Sequence, residues 1–172
     1  GYEQQADAVT AWRAGFGLSD VRAGYALDRE KKIDDERRKI TPHLVDELLA
    51  GNDHVVVGLP GSGKSTILKS IACHWYERQH GTVLYRSSRA SKQFDEIGPV
   101  KQRVDSAEGH VLVVVEDATR DAANAVFELR EEYEGDPSVS FLLDSRMTEW
   151  EDDDFAVTDA RRGVSKAGVD LF

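Results

Sequence analysis

The sequence predicts a three-layer α/β domain built on a mainly parallel sheet of about five strands. Two observations carry that expectation. Short apolar runs alternate along the chain with longer stretches whose apolar residues recur at helical spacing. One of those runs, Val111-Leu112-Val113-Val114-Val115, has no polar residue to turn toward water, as a strand covered on both faces requires. Such alternation puts helices on both sides of the sheet and gathers chemistry at the carboxyl ends of the strands.

Taken in order, residues 2–15 read as a short helix carrying Ala6, Val9, Trp12 and Ala14, ended by Gly15 and Gly17. Ser19 and Asp20 cap a second short piece that Gly24 breaks, so residues 1–24 are expected to form a helical extension or linker and 25–172 the main domain. Residues 31–38 are highly charged and read as a solvent-facing helix. Thr41-Pro42 reads as a separate helix start, threonine capping and proline in the first turn, followed by a buried stripe of Leu44, Val45, Leu48 and Leu49. The first strand is expected at 54–57, its crossover helix at 64–79 and the second strand at 83–87. Phe94, Ile97, Val100 and Val104 sit at helical spacing, but Gly98-Pro99 interrupts them, so Pro99 should begin a new helix of about two turns. After the strand at 111–115 come a helix at 121–133, with Ala122, Ala125, Val126 and Leu129 inward, a turn at Asp136-Pro137 and a fourth strand at 139–143. Phe155-Ala156-Val157 reads as a short strand or an apolar anchor, and residues 169–172 as a last strand.

Composition bounds the function. A chain of 172 residues supports one ordinary core and not two comfortable ones, and 40% hydrophobic with 31% charged residues is the balance of a globular domain. No apolar run approaches the roughly 20 residues of a membrane span, and no basic-then-apolar leader opens the chain, so a cytoplasmic setting and no membrane partner are expected. Gly1 stands where an initiating methionine would, so an added residue or an internal cut is expected there. Cys73 is the single cysteine, which excludes an internal disulfide and a cysteine zinc cluster and suggests a buried apolar role. The five histidines are scattered without ligand-like spacing. With 32 acids against 22 bases the formal charge is −10, which argues against a broad nucleic-acid surface. Arginine outnumbers lysine and residues 151–154 are all acidic, a halophilic style of composition in which high salt screens the repulsion.

Three sites carry chemistry. Residues 58–65 read GLPGSGKS directly after Val55-Val56-Val57, the spacing of a P-loop, or Walker A motif, in its strand-glycines-helix context. Gly58, Pro60, Gly61, Ser62, Gly63, Lys64, Ser65 and Thr66 are the expected nucleotide-binding residues: backbone amides curl around phosphates, Lys64 reaches the β- and γ-phosphates, and the Ser65 hydroxyl ligates Mg²⁺. The bland reading is a Gly/Ser turn between strand and helix; the apolar helix that follows (Ile67, Leu68, Ile71, Ala72) favours the nucleotide. Glu116-Asp117 ends the VLVVV strand, so one acid suits Mg²⁺ and the other the attacking water. Counting from the apolar run makes Glu116 the metal-side acid and Asp117 the water-side one, with strand-end capping as the plain alternative. Arg146, after Leu142-Leu143-Asp144-Ser145, is placed to read the γ-phosphate, its ordinary role being an ion pair with Glu149 or Asp152. Arg86 and Arg89 are weaker candidates for an interface finger, and Trp12, Trp75 and Trp150 read as packing aromatics.

These pieces, in this order, resemble the nucleotide-binding domain of the STAND ATPases, the AAA+ relatives that include the NACHT and NB-ARC proteins. Tyr25-Ala26-Leu27-Asp28-Arg29-Glu30 looks like that group's segment ahead of the first strand, which implies that Leu27 and Arg29 lie by the adenine end of the nucleotide. GLPGSGKS matches the phosphate loop, VLVVVED the Mg²⁺ strand and FLLDSR the first sensor; the resemblance implies strand order 5-1-4-3-2. Glu116 departs from the aspartate usual at the first acid position. The resemblance further implies an ATP/ADP switch with Mg²⁺ and slow hydrolysis, a homo-oligomer in the ATP state, and a larger parent chain whose lid, effector and sensor domains are missing from this segment. In a microbe that would suit antiviral defence. The alternatives are an origin-recognition-like AAA+ ATPase acting on DNA, and a nucleotide-binding scaffold without turnover.

Overall fold

The computed structural model describes residues 15–16, 35–59, 63–151 and 164–169. Residues 2–14 of the first expected helix, the short piece capped by Ser19 and Asp20, Leu27 and Arg29, the loop residues Pro60, Gly61 and Ser62, and the 155–157 segment lie outside the described residues.

In chain order the elements are α1 (Asp35–Leu49), β1 (Asp53–Gly58), α2 (Lys64–Glu77), β2 (Val83–Arg86), α3 (Gly98–Ser106), β3 (Val111–Val115), α4 (Val126–Glu132), β4 (Val139–Ser145), α5 (Met147–Trp150) and β5 (Val164–Val169). The strands form one five-stranded sheet, β2-β3-β4-β1-β5, with every neighbouring pair parallel. That is the order 5-1-4-3-2 read from the other edge.

Alternation along the strands divides the interior into two cores. Val56, Tyr85, Leu112, Val114 and Leu142 face one side, against Leu44, Val45 and Leu48 of α1 and Ile67, Leu68, Ile71 and Trp75 of α2. Val55, Val57, Val113, Val115, Phe141 and Leu143 face the other, against Val100 and Val104 of α3, Phe127 and Leu129 of α4, and Trp150. The β3 strand is buried at all five positions, which is why its sequence carries no polar residue. Arg130 of α4 donates through Nε to Asp53 at 2.5 Å, and the same carboxylate accepts the Phe141 amide at 2.8 Å, so one acid ties a helix and β4 to the start of β1.

Several boundaries differ from expectation. Thr41-Pro42 does not start a helix: α1 begins at Asp35 and runs through Pro42. Proline removes one helical N–H bond, and Pro42 sits on the exposed side where water can take the orphaned carbonyl. Pro99 does open its helix, in the first turn of α3. The helix expected from 121 starts only at Val126, because the Ala122 carbonyl accepts the Phe94 amide at 2.8 Å and the Val126 amide turns to Ala123 instead. Ala122 is accordingly exposed, and Ala123 is the buried residue. The last strand lies at Val164–Val169, five residues earlier than expected at its start; as an edge strand pairing with β1 alone it needs no continuous apolar run.

Candidate functional site

Because the sheet is parallel, the carboxyl ends of β1, β2, β3 and β4 share one edge, and the motif residues meet there. Gly58 closes β1 and exposed Leu59 follows it. Gly63 takes the left-handed conformation, φ +91°, at the cap of α2, a turn that glycine makes without strain. Among the described residues no side chain caps α2, so its first-turn amides are placed to meet a ligand or solvent. Lys64 is buried and donates from Nζ to the Gly58 and Leu59 carbonyls, both at 3.0 Å. Ser65 and Thr66, in the first turn, are half-buried. A helix start with no capping side chain among the described residues, a lysine donating to the Gly58 and Leu59 carbonyls and a glycine turn after a buried strand together fit a polyphosphate.

Beyond β3, Glu116 is buried and fully engaged on the β2 side. Its carboxylate accepts the Tyr85 hydroxyl, and its other oxygen accepts both the amide and the hydroxyl of Ser88 at 3.2 Å. Asp117 is half-buried with φ +51°, in the left-handed region that aspartate tolerates better than most side chains. Its amide donates to the Asp144 carboxylate at 2.6 Å, and the next amide, Ala118, to the Asp144 carbonyl at 3.0 Å.

Asp144 is the residue that motif reasoning passed over. It lies near the end of β4, between β1, which leads to Lys64, and β3, which leads to the acid pair, and is only 3% exposed. Burial above all, with Glu116 and Asp117 nearby, pushes its carboxyl up to about 7, although the Asp117 amide and the Lys64 charge pull the other way. A signal was available: an acid inside the apolar run Phe141-Leu142-Leu143 and directly before the strand's end is rare unless it has partners. Tyr85 and Ser88 carried no such signal, since only the β2–β3 pairing brings them to Glu116.

Arg146 is exposed, one residue past β4, and Glu149 does not pair with it but accepts the Thr119 hydroxyl at 2.9 Å. Arg86 is buried, donates to the Lys92 carbonyl at 2.8 Å and has its guanidinium pushed below its ordinary value by burial, so it is a structural arginine and not an interface finger. Arg89 is exposed. Among the described residues no group of three or more His, Cys, Asp or Glu side chains is arranged to hold a metal ion, so a cation at this edge would depend on ligand oxygens as well as protein ones.

The profile of the family described as novel STAND NTPase 5 matches residues 30–157, which spans the phosphate loop, the acid pair and β4. The chain belongs to the novel STAND NTPase 5 family. This STAND NTPase domain is also similar in fold to several solved chains. AMPPCP-bound DnaA from Aquifex aeolicus superposes with TM-score 0.57 at 18% identity, covering 83% of this chain and 50% of that one. C. elegans PCH-2 gives 0.53 at 19%, covering 78% and 42%, and the Drosophila ORC bound to AT-rich DNA and Cdc6 gives 0.52 at 15%, covering 79% and 55%. The STAND domain thus spans about half the length of these chains. Comparison with curated proteins gives no match. Among the described residues no helix is long and apolar enough to cross a membrane.

Proposed function

We propose that this STAND NTPase domain binds Mg²⁺·ATP at the Lys64 edge of the sheet and hydrolyses it slowly, as the nucleotide switch of a larger assembly. The observation that carries the reading is Lys64: buried, at the start of α2, bonded among the described residues to the Gly58 and Leu59 carbonyls that a phosphate would outcompete, and close enough to the Asp144 carboxyl of β4 for their charges to interact. Gly58, Pro60, Gly61, Ser62, Gly63, Lys64, Ser65 and Thr66 would hold the phosphates, with Leu27 and Arg29 by the base. Ser65, Glu116 and Asp117 would hold Mg²⁺ and water, and Arg146 would reach the γ-phosphate. Bound Mg²⁺·ATP supplies the scissile phosphoryl group and the counter-charge for it. Lys64 offsets phosphate charge, and Asp144 fixes the Asp117 backbone so that the acid following β3 keeps one orientation. Glu116, held by Tyr85 and Ser88, must exchange those bonds to approach a cation, which suits slow turnover.

Two uses of such a switch have support. Likeness of fold to DnaA and to ORC bound to DNA supports an initiator-like ATPase whose parent protein acts on DNA. The family match supports a switch of the STAND kind; its signalling use and the antiviral setting are proposed on the resemblance alone. The charge of −10 makes this domain a poor DNA surface, so any DNA contact would fall to other parts of the parent. Turnover of the parent protein with and without duplex DNA separates the two: several-fold stimulation supports the initiator, and no change supports the signalling switch. Absence of turnover at saturating Mg²⁺·ATP in both conditions would leave a scaffold and overturn the hydrolytic proposal.

A further inference from the structure

A second route into the acid strand comes from the chain's N-terminal side. Phe16 forms an antiparallel bridge with Arg86 on the outer edge of β2 and is 1% exposed. Its ring meets Phe94 edge-on, with centroids 5.3 Å apart. Gly15 is pressed against the segment after β2: a Cβ there would lie 2.8 Å from the Ala90 side chain and 3.2 Å from the Lys92 carbonyl, the same carbonyl that accepts from Arg86. The segment so clamped, residues 87–94, contains Ser88, which gives two hydrogen bonds to Glu116. Its far end, Phe94, is tied by its amide to Ala122 beyond the acid pair.

Resting on the reading that Glu116 serves Mg²⁺·ATP, we propose that Gly15-Phe16 is a positioning element for the acid strand, through which the polypeptide before Gly15 acts on Glu116 without touching the nucleotide. Seating Phe16 fixes 87–94, and that fixes Ser88 against Glu116; withdrawing Phe16 frees Glu116 from two of its bonds. The element is an input from the N-terminal side of the chain, set on the opposite side of β2 from the phosphate loop in the strand order.

The test compares Phe16→Ala, Phe16→Leu and Ser88→Ala with the unaltered chain, measuring ATP affinity, Mg²⁺·ATP turnover and amide exchange at Ser88. Expected are an ATP affinity within about twofold, a several-fold change in kcat in Phe16→Ala that Phe16→Leu largely restores, and no further change when Ser88→Ala is added, as for residues on one path. Exchange at Ser88 should rise at least tenfold in Phe16→Ala but not in Leu48→Ala, a core variant on the opposite face of the sheet. Unchanged Ser88 exchange in Phe16→Ala would overturn the proposal, as would additive effects of the two substitutions on kcat. If the unaltered chain bound no nucleotide, the nucleotide reading would fall, and the Ser88 exchange result would still decide whether Phe16 positions this segment.

Discussion

Asp144 gives the sharpest quantitative handle on the site. Its carboxyl titrates at about 7 in the folded chain against an ordinary 3.8. Between those values the folded state binds the proton and the unfolded state does not, so stability conferred by the neutral form is complete below pH 4 and is lost as pH rises through 7. At about 1.4 kcal/mol per unit the whole span is worth about 4 kcal/mol, of which about 3 kcal/mol falls between pH 5 and 8. Asp144→Asn mimics the neutral acid and keeps an oxygen for the Asp117 amide. Urea unfolding without nucleotide or metal should therefore show Asp144→Asn gaining about 3 kcal/mol over the parent chain from pH 5 to pH 8. Burial lowers His54, His74 and His110 and raises Asp53, so these also make stability pH-dependent, the histidines with the opposite sign. All four are present in both proteins and cancel in the difference. A gap that stays constant within about 0.5 kcal/mol over this range would refute the reasoning, since an Asp144 that is already ionised at pH 5 cannot be the desolvated group described.

Two further substitutions probe the acid pair and the scaffold. Asp117→Asn keeps a residue type that accepts the left-handed φ of +51°, so it should preserve the fold and ATP binding while lowering single-turnover hydrolysis by at least tenfold; hydrolysis at the parent rate would remove Asp117 from the proposed chemistry. Asp53→Ala leaves Arg130 without its carboxylate and the Phe141 amide without an acceptor, and should cost about 3 kcal/mol in urea unfolding with ATP affinity per folded molecule unchanged. A loss below about 0.5 kcal/mol would show that this tie is not structural.

Much of the architecture was readable because burial leaves a mark on composition. Val111–Val115 could only be a central strand, and the helices flanking the sheet announced themselves through spacing. The misreadings arose where a tertiary bond overrode a local preference. The amide of Phe94, about thirty residues from α4, took the Ala122 carbonyl and delayed that helix, and burial of Leu44, Val45 and Leu48 outweighed Pro42 inside α1. The P-loop and acid pair were legible as motifs, whereas the grip of Tyr85 and Ser88 on Glu116 depends on strand pairing that no local pattern encodes. Asp144 was legible in principle, as an acid in an apolar strand, but its weight in the site comes from β4 lying between β1 and β3.

The central claim is that Lys64 and the amides at the start of α2 hold a polyphosphate. Calorimetric titration of the folded chain and of Lys64→Ala with Mg²⁺·ATP and with ADP tests it most directly. The account predicts saturable binding of both nucleotides by the parent chain and at least a hundredfold weaker binding by Lys64→Ala, a loss of about 3 kcal/mol for a charge-assisted contact. Equal affinity in the two proteins, or no heat from either nucleotide in the parent chain, would contradict it.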